Sequence, residues 1–410
     1  MSPGAEGGGA RDCTASGLRF EWRSGDEPSR SDFRRLGETE VRPVLERFAA
    51  RVLDTVHYFG DDVPDYYDNR ANKWFLNGGW TEGFWPGLLW QLYSLTREER
   101  LAGEARRSTS LVARLKAKTD DHDLGFLFGP SCVLEQQVTG SDRMVPYAVA
   151  AAERLAGRYL PLARYIPDDG PIDGPRAGFA IIDTLMNLPL LIWGASQTGR
   201  TEWAEAAVET ARTIAREHLR ADGSCCQVLW LDPISGRTVR REAVMALSVD
   251  SCWARGQAWG IHGFAEMHRL TGLPEFRQQA ERMAGFFLSR QPPDGLVYHD
   301  LDAPDVPDVP KDTSAQAIAA GGLLTLAEGY PGEESSPWRA AAERLWSPLL
   351  EQCLVDIDSG ALPPRGLLGR GCKSQRKGQG VVSEIVFGDY YLLEGLQRWL
   401  KGRGAQAGGR

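Results

Sequence analysis

The sequence predicts an all-α fold, an α/α toroid in which a ring of inner helices is surrounded by outer helices. Three observations support this fold: a repeated helix pair, a difference in polarity between the two helices of a pair, and aromatic-rich connections. The repeats begin at Gly87, Leu190, Gly260 and Gly321. Two of them contain Thr-Gly, at 198–199 and 271–272, where glycine supplies the left-handed conformation that ends a helix.

The two helices of each repeat differ in how their apolar residues are distributed. The first helix is apolar on nearly every side and is expected inside, whereas the second carries Glu and Arg on one face and is expected outside. Repeated inner–outer pairs close into a toroid, and the alternative is an open α-solenoid. The aromatic-rich connections favour a closed ring with a pocket at one end. Few segments resemble strands, and the best of them is QVLWL at 227–231.

The chain of 410 residues is expected to form one domain, because closed toroids reach this length and no linker divides the sequence. We place this domain at 18–400. Residues 1–17 are Gly-rich and are expected to be disordered, and 401–410 are expected to form a flexible tail. The Pro- and Asp-rich segment 302–312 is expected to be a loop between helices.

Charge and cysteine content argue against several classes of protein. The net charge of −8 disfavours nucleic acid as a partner, although a local cationic spot could still bind a small anion. No apolar run reaches membrane-spanning length, and the N-terminal residues lack the apolar core of a signal peptide. The seven cysteines are odd in number and fit no metal-binding spacing. We therefore expect a cytoplasmic monomer or homodimer with free thiols, no bound metal and no cofactor.

Thirteen tryptophans are many for this length, and several of them cluster near the first repeat. Indole rings stack on the apolar faces of sugars while their N–H groups reach hydroxyls, although core packing is the simpler explanation for any one of them. The cluster consists of Trp74, Trp80, Trp85 and Trp90.

Asp183 is the sharpest candidate for chemistry, because it lies in the strongly apolar run 178–193. Aspartate is rarely buried without a reason, and desolvation would favour its protonated form, as a general acid requires. Asn187, one turn later, shares its face. The alternative is a structural or helix-capping aspartate.

Asp123 is the second candidate, in the segment TDDHDLGF at 119–126. The change to apolar residues directly after Asp123 suggests that this carboxylate points inward, whereas Asp120 and Asp121 fit a solvated turn. Asp123 and Asp183 are separated by about one helix pair, so they are expected to face one cavity. Two carboxylates in one pocket are the basic equipment of glycoside hydrolysis.

Arg255 is a third candidate, because it lies between Trp253 and Trp259. A guanidinium flanked by indoles suits an anionic ligand that has a ring face. The alternative is a structural arginine that bridges helix ends.

Several of these segments, in this order, resemble the unsaturated glucuronyl hydrolases of glycoside hydrolase family 88. The resemblance runs from about Trp80 to Leu396. It is carried by HDLGF (122–126), IIDTLMNLPLL (181–191), DGS (222–224), SCWARGQAW (251–259), DTSAQAIAAGGLLTL (312–326) and FGDYYLLEGL (387–396). It implies an (α/α)6 barrel and an enzyme that needs no metal or organic cofactor.

The resemblance also implies a reaction and a set of site residues. The enzyme would hydrate the C4=C5 double bond of a Δ4,5-unsaturated uronosyl group, after which the aglycone leaves. Asp183 matches the acid/base, and Asp123 matches a second aspartate that positions the ring and stabilises positive charge. The matching substrate-binding positions are His122, Trp80, Arg255, Trp259 and Ser383.

The sequence departs from the family pattern at positions expected to shape the pocket. Gln227 follows DGS where the family usually has histidine, Met245 stands where it has glutamine, and His299 stands where it has tryptophan. No tryptophan occurs in RYIPDDGP at 164–171, before the Asp183 segment, where the family usually has one. We expect Gln227 and Met245 to line the substrate site. The pattern suggests retained hydration chemistry on an altered substrate, either a polysaccharide-lyase fragment or a small-molecule glycoside such as a secondary metabolite.

Two other functions remain open from the sequence. A non-catalytic sugar-binding or scaffold toroid would keep the ring and lose turnover. Direct hydrolysis of a glycoside by the two carboxylates would use the same pocket without adding water to a double bond.

Overall fold

The paired helices of the repeats form where the polarity pattern predicts them. The computed structural model describes residues 36–116, 121–330, 337–356 and 362–407, which belong to one compact unit, Arg35–Arg410. Segment 1–17 lies outside the described residues, as do Asp120 and residues 408–410 of the predicted tail. The last helix continues to Ala407, so most of that tail is helical. Glycines at 402 and 404 weaken a helix without breaking it as proline would.

The inner ring consists of helices that are buried on nearly every side. In helix α11, for example, every residue from Thr313 to Ala327 is buried. The segment between α4 and α5 is one π-helical turn, Gly129–Val133, so these two short helices act as one ring member. The inner helices are α2 (Phe84–Thr96), α4 (Leu124–Phe128) with α5 (Leu134–Thr139), α7 (Leu188–Thr198), α9 (Ala254–Thr271), α11 (Thr313–Glu328) and α13 (Val386–Ala407).

The outer helices bury one face against this ring. Helix α8 shows the pattern, since it buries residues from Trp203 to Ile214 at helical spacing and exposes its charged side chains. The outer helices are α1 (Glu38–Asp54), α3 (Glu99–Lys116), α6 (Val145–Gly157), α8 (Thr201–Glu217), α10 (Pro274–Ser289) and α12 (Pro337–Gln352).

The ring is closed. Each inner helix packs against the next around the ring, and α13 packs against α2. This closure confirms the (α/α)6 prediction and excludes the open solenoid. Gly199 and Gly272 end helices α7 and α9 with φ of 75° and 70°, as the Thr-Gly repeats predicted. No helix in the described part of the chain combines the length and apolar character needed to cross a membrane.

Two small antiparallel sheets add strands that the all-α prediction left out. The predicted strand at 227–231 corresponds to β4. Three pairs join consecutive strands, β1–β2, β4–β5 and β6–β7, whereas β1–β7 and β3–β4 join segments that are distant in the chain. One sheet has the order β3-β4-β5, and the other has the order β2-β1-β7-β6. The strands are β1 (Pro64–Asp68), β2 (Lys73–Leu76), β3 (Phe179–Ile181), β4 (Val228–Leu231), β5 (Thr238–Glu242), β6 (Gly371–Ser374) and β7 (Gln379–Ile385).

These sheets deliver the chain to the first turns of inner helices. Strand β7 runs directly into α13, and β3 runs into a 3-10 turn, Ile182–Met186, that precedes α7. A second 3-10 turn, Trp80–Gly83, leads into α2. The candidate site residues Trp80, Asp183 and Ser383 therefore lie where the chain enters the inner ring.

Candidate active site

His122 lies at the centre of a cluster of acidic side chains. Its Nε2 atom is 3.2 Å from Asp123 Oδ1 and 2.9 Å from Asp168 Oδ1. Its Nδ1 atom is 2.7 Å from the hydroxyl of Thr184, the residue next to Asp183. The imidazole therefore joins the segment before α4 to the segment before α7, and it brings the two predicted carboxylates to one place.

The electrostatics of this cluster favour a charged His122. Burial opposes the imidazolium, but Asp123 and Asp168 outweigh burial and raise the pKa of His122 well above its usual value. The pKa of Asp168 is correspondingly lowered, because its contact with His122 offsets the effect of burial. An ionised Asp168 paired with an imidazolium is the state expected at neutral pH.

Asp183 has the opposite character. Its Oδ1 atom is buried and finds no hydrogen-bond partner among the described residues. Burial raises the pKa of Asp183 to about 7, with a further increase from the charge of Asp123, although His122 and Arg255 lower it in part. The site thus holds a carboxyl group that can be protonated near neutral pH beside carboxylates paired with a cation, which is the division that acid catalysis needs.

Close packing of two backbone segments fixes this geometry. A Cβ atom on Gly125 would lie 2.3 Å from the Cα of Asn187, so only glycine fits at this point. Asn187 accepts a hydrogen bond from the N–H of Phe126 at 2.9 Å. Asp123 and Asp183 are each carried on one of these two segments, and this contact therefore sets their relative position.

Aromatic rings form a wall beside the carboxylates. Trp80 is half-buried, and its ring centroid lies 5.1 Å from that of Phe126 and 5.2 Å from that of Phe387. Trp259 is fully buried and lies 5.1 Å from Phe126. The partly exposed Trp80 can meet a ring face of a ligand, whereas Trp259 supports the wall from behind.

The other tryptophans of the predicted cluster have structural roles. Trp74 donates its indole N–H to the carbonyl of Pro364 at 2.7 Å. Trp90 is buried and donates to Thr109 at 3.0 Å, and Trp85 is also buried in the core. Core packing, the simpler alternative, therefore accounts for Trp74, Trp85 and Trp90.

Arg255 is buried and its terminal N–H groups are directed to protein atoms. It forms an ion pair with Asp312 and donates to the carbonyls of Cys372 at 2.8 Å and Lys373 at 2.6 Å. Its guanidinium also lies 4.7 Å from the ring centroid of Trp253. These contacts fit the structural alternative, in which Arg255 joins α9, α11 and β6. Its effect on a ligand would then be electrostatic, without a direct hydrogen bond.

Three further predicted positions lie in or beside the two small sheets. Ser383 is fully buried on β7, and its hydroxyl finds no hydrogen-bond partner among the described residues. Met245 is half-buried in the loop after β5. Gln227 is 4% exposed, and its side-chain oxygen accepts hydrogen bonds from the loop that carries Met245.

Asp168 is the site residue that sequence reasoning missed. It lies in RYIPDDGP, a segment that draws attention in the sequence only because it lacks a tryptophan. The backbone N–H of His122 donates to the Asp168 carbonyl at 2.7 Å, so Asp168 binds His122 through both its main chain and its side chain.

Within the described ranges no group of three or more His, Cys, Asp or Glu side chains has an arrangement suited to a metal ion.

Known proteins with similar sequences and folds identify the family to which this chain belongs. The Glycosyl Hydrolase Family 88 model matches residues 179–406. The unsaturated glucuronyl hydrolase of Bacillus sp. (strain GL1) is 36% identical over 353 residues, which cover 84% of this chain and 92% of that protein. The unsaturated chondroitin disaccharide hydrolase of Streptococcus agalactiae serotype III (strain NEM316) is 31% identical over 376 residues, which cover 90% and 93%.

The fold comparison agrees with the sequence comparison. The crystal structure of the Bacillus sp. GL1 unsaturated glucuronyl hydrolase superposes with a TM-score of 0.82 at 35% identity, covering 89% of this chain and 97% of that one. The chain therefore belongs to glycosyl hydrolase family 88 and is a glycosidase.

Proposed function

We propose that this enzyme hydrates the C4=C5 double bond of a Δ4,5-unsaturated uronosyl group and thereby releases the aglycone. The observation that carries the proposal is Asp183, whose Oδ1 atom is buried and whose pKa is raised to about 7 beside the His122 cluster. A vinyl ether is hydrated by protonation at carbon, and a neutral carboxylic acid at neutral pH can supply that proton. The two relatives named above act, by their names, on unsaturated glucuronyl and unsaturated chondroitin substrates.

The proposed reaction assigns a step to each side chain. Asp183 transfers its proton to C4, and positive charge develops at C5 and the ring oxygen. Asp123 faces this charge and stabilises it, while His122 keeps Asp123 in place. Water then adds to C5 and gives a proton back to Asp183, so the acid is regenerated. The resulting hemiketal opens and the aglycone leaves.

The substrate is a small anionic sugar derivative, and its aglycone is either the next sugar of a polysaccharide-lyase fragment or a small molecule. The contact of Trp80 with Phe126 and Phe387 gives the pocket an apolar wall suited to a sugar ring face.

We also infer that the protein is located in the cytoplasm and is a monomer or homodimer. The six described cysteines have free, buried thiols, which supports a reducing compartment.

Loss of the ultraviolet absorbance of the conjugated alkene tests the proposal directly. We expect absorbance to fall when the enzyme is incubated with an unsaturated chondroitin disaccharide or an unsaturated glucuronosyl aryl glycoside. The matched saturated glucuronide should be stable. In D2O, deuterium should appear at C4, because the proton that reaches this carbon comes from an exchangeable carboxyl group. Cleavage of the saturated glucuronide without deuterium at C4 would instead identify direct hydrolysis.

The acid form of Asp183 predicts the pH dependence of this activity. Since the pKa of Asp183 is raised to about 7, kcat/KM should be level below that pH and fall about tenfold per pH unit above it. The Asp121→Asn variant is a suitable control, because Asp121 contacts the backbone N–H of Asp123 and its pKa is raised only to about 6. This variant should keep the alkaline limb near pH 7. A profile that stays level from pH 6 to 9 would contradict Asp183 as the acid.

A further inference from the structure

Gln227 lies beside the segment that carries the proposed acid, and its side-chain oxygen is bonded to another part of the chain. Its backbone carbonyl accepts a hydrogen bond from the N–H of Ile182 at 3.1 Å, next to Asp183. The residue precedes β4, and β4 pairs with β3 on one side and β5 on the other. The chain leaving β5 at Glu242 therefore runs alongside Gln227, whose backbone contacts the segment of Asp183.

The carboxamide of Gln227 holds this chain by its backbone. Its Oε1 atom accepts hydrogen bonds from three consecutive N–H groups, those of Val244 at 3.2 Å, Met245 at 2.6 Å and Ala246 at 3.0 Å. Three N–H groups that converge on one oxygen have no strand partner, so the side chain satisfies donors that a sheet would otherwise satisfy. Two of the residues that depart from the family pattern, Gln227 and Met245, are thus in direct contact.

Other side chains fix the same segment from its far side. The N–H of Leu247 donates to Asp300 Oδ2 at 2.9 Å. Arg376 donates to the carbonyls of Ala243 at 2.8 Å and Ala246 at 3.1 Å. The segment 243–247, called the rim segment here, is therefore an irregular loop held rigidly by its backbone groups, which leaves its side chains to form a surface.

The side chains of the rim segment are all apolar, in the order Ala-Val-Met-Ala-Leu. Met245 is half-buried and packs on the core, and its flexible thioether can follow the outline of a ligand. Apolar contact with a ligand removes apolar surface from water, and a rigid surface avoids the entropy cost of ordering a loop on binding. A surface of this kind favours contact with an apolar face of a ligand, and its side chains provide no hydrogen-bonding groups for sugar hydroxyls.

We propose that Gln227 is a positioning residue that holds the rim segment as an apolar wall for the aglycone, so that the enzyme prefers an aryl or other apolar aglycone over a hydroxylated sugar. This inference rests on the proposed function and narrows its substrate class. Gln227 acts through the backbone of 244–246 and takes no part in proton transfer.

Hydrogen exchange tests the wall without any assay of activity. In the full-length enzyme, amides of 244–246 should exchange at least about tenfold faster in Gln227→Ala than in the wild type, because their common acceptor is gone. Gln227→Glu keeps an acceptor oxygen and should retain protection. Gln278→Ala, an exposed position on α10, is the matched control and should change nothing. Equal exchange in Gln227→Ala and the wild type would overturn the proposal.

A pair of substrates tests the specificity. Both carry the same Δ4,5-unsaturated glucuronosyl group, one on p-nitrophenol and the other on N-acetylgalactosamine. We expect the wild type to prefer the aryl glycoside. Gln227→Ala should raise KM for the aryl glycoside about tenfold, while kcat stays within about twofold of the wild type and the pH dependence is unchanged. Gln227→Glu should restore most of the affinity for the aryl glycoside.

The outcomes separate the inference from the proposed function. A wild type that turns over neither substrate contradicts the hydration chemistry, whereas the exchange experiment still decides whether Gln227 holds the loop. A wild type that turns over both, with no preference for the aryl glycoside or with equal losses on both in Gln227→Ala, overturns the apolar wall and leaves the chemistry intact.

Discussion

Replacing Asp183 by asparagine should lower kcat by about 10³-fold or more on every unsaturated uronosyl substrate, since general acid catalysis contributes about 10²–10⁴-fold and the amide has no acidic proton to transfer. Asp168, another carboxyl group of the His122 cluster, is paired with His122, and its pKa is lowered by that contact. It is therefore ionised and cannot act as the acid at neutral pH.

The same substitution should leave the fold intact. The Oδ1 atom of Asp183 has no hydrogen-bond partner among the described residues, so an amide of the same shape loses no contact there. Because the folded pKa of Asp183 is raised, its neutral form stabilises the fold at low pH and this stabilisation is lost as the pH rises through about 7. The amide in the variant is neutral at every pH, so Asp183→Asn should be at least as stable as the wild type at pH 8.

Activity and stability should be measured on the same preparations. Steady-state loss of the alkene absorbance gives kcat, and urea-induced unfolding at pH 6 and pH 8 gives the free energy of unfolding. Asp54→Asn, an exposed position at the end of α1, is the matched control and should change neither. A variant at position 183 that keeps more than a tenth of wild-type kcat would show that another group delivers the proton.

The carboxylates could be predicted from the sequence because their signal is local. Asp183 interrupts a long apolar run, and Asp123 stands directly before one, so each is marked by its own neighbours. Asp168 has no such mark, since it is one of two adjacent aspartates in a polar loop. Only the fold brings its carboxylate to 2.9 Å from His122 and distinguishes it from Asp169.

The same distinction explains which parts of the fold could be predicted. Inner and outer helices differ in polarity along their own length, and the helix pairs were therefore predictable. Strand β1 pairs with β7, more than 300 residues away, and neither strand alternates regularly between buried and exposed residues. Gln227 was predicted to line the site from its position alone, whereas its bonds to 244–246 depend on how β5 returns beside β4.

Arg255 shows how one pattern can support two functions. Indoles on either side of an arginine suit a ligand site or a buried ion pair, and the deciding partner, Asp312, is 57 residues away at the start of α11. Both side chains are at most 1% exposed. The pair therefore joins two inner helices beneath the site, and the largest effect of its loss should be on stability.

Asp312→Asn should lower the free energy of unfolding at pH 7 by about 3–5 kcal/mol, because it leaves the buried charge of Arg255 without a counter-charge. Asp312 also accepts hydrogen bonds from the hydroxyl of Ser314 at 2.6 Å and from its N–H at 3.2 Å, and so caps α11. Burial raises the pKa of Asp312, but Arg255 and His299 outweigh burial and lower it to about 2. The ionised, stabilising form is thus fully present at pH 7 and is lost only as the pH falls through about 2.

A surface ion pair provides the matched comparison. Asp61 contacts Arg107 at 2.7 Å, and the Asp61 side chain is 91% exposed, so Asp61→Asn should cost at most about 1 kcal/mol. Urea-induced unfolding of both variants at pH 7 measures the difference. If Arg255 instead served mainly to bind substrate, Asp312→Asn would raise KM with little change in unfolding. If Asp312→Asn lowered the free energy of unfolding by less than about 1 kcal/mol and raised KM tenfold, Arg255 would be identified as a substrate-binding residue.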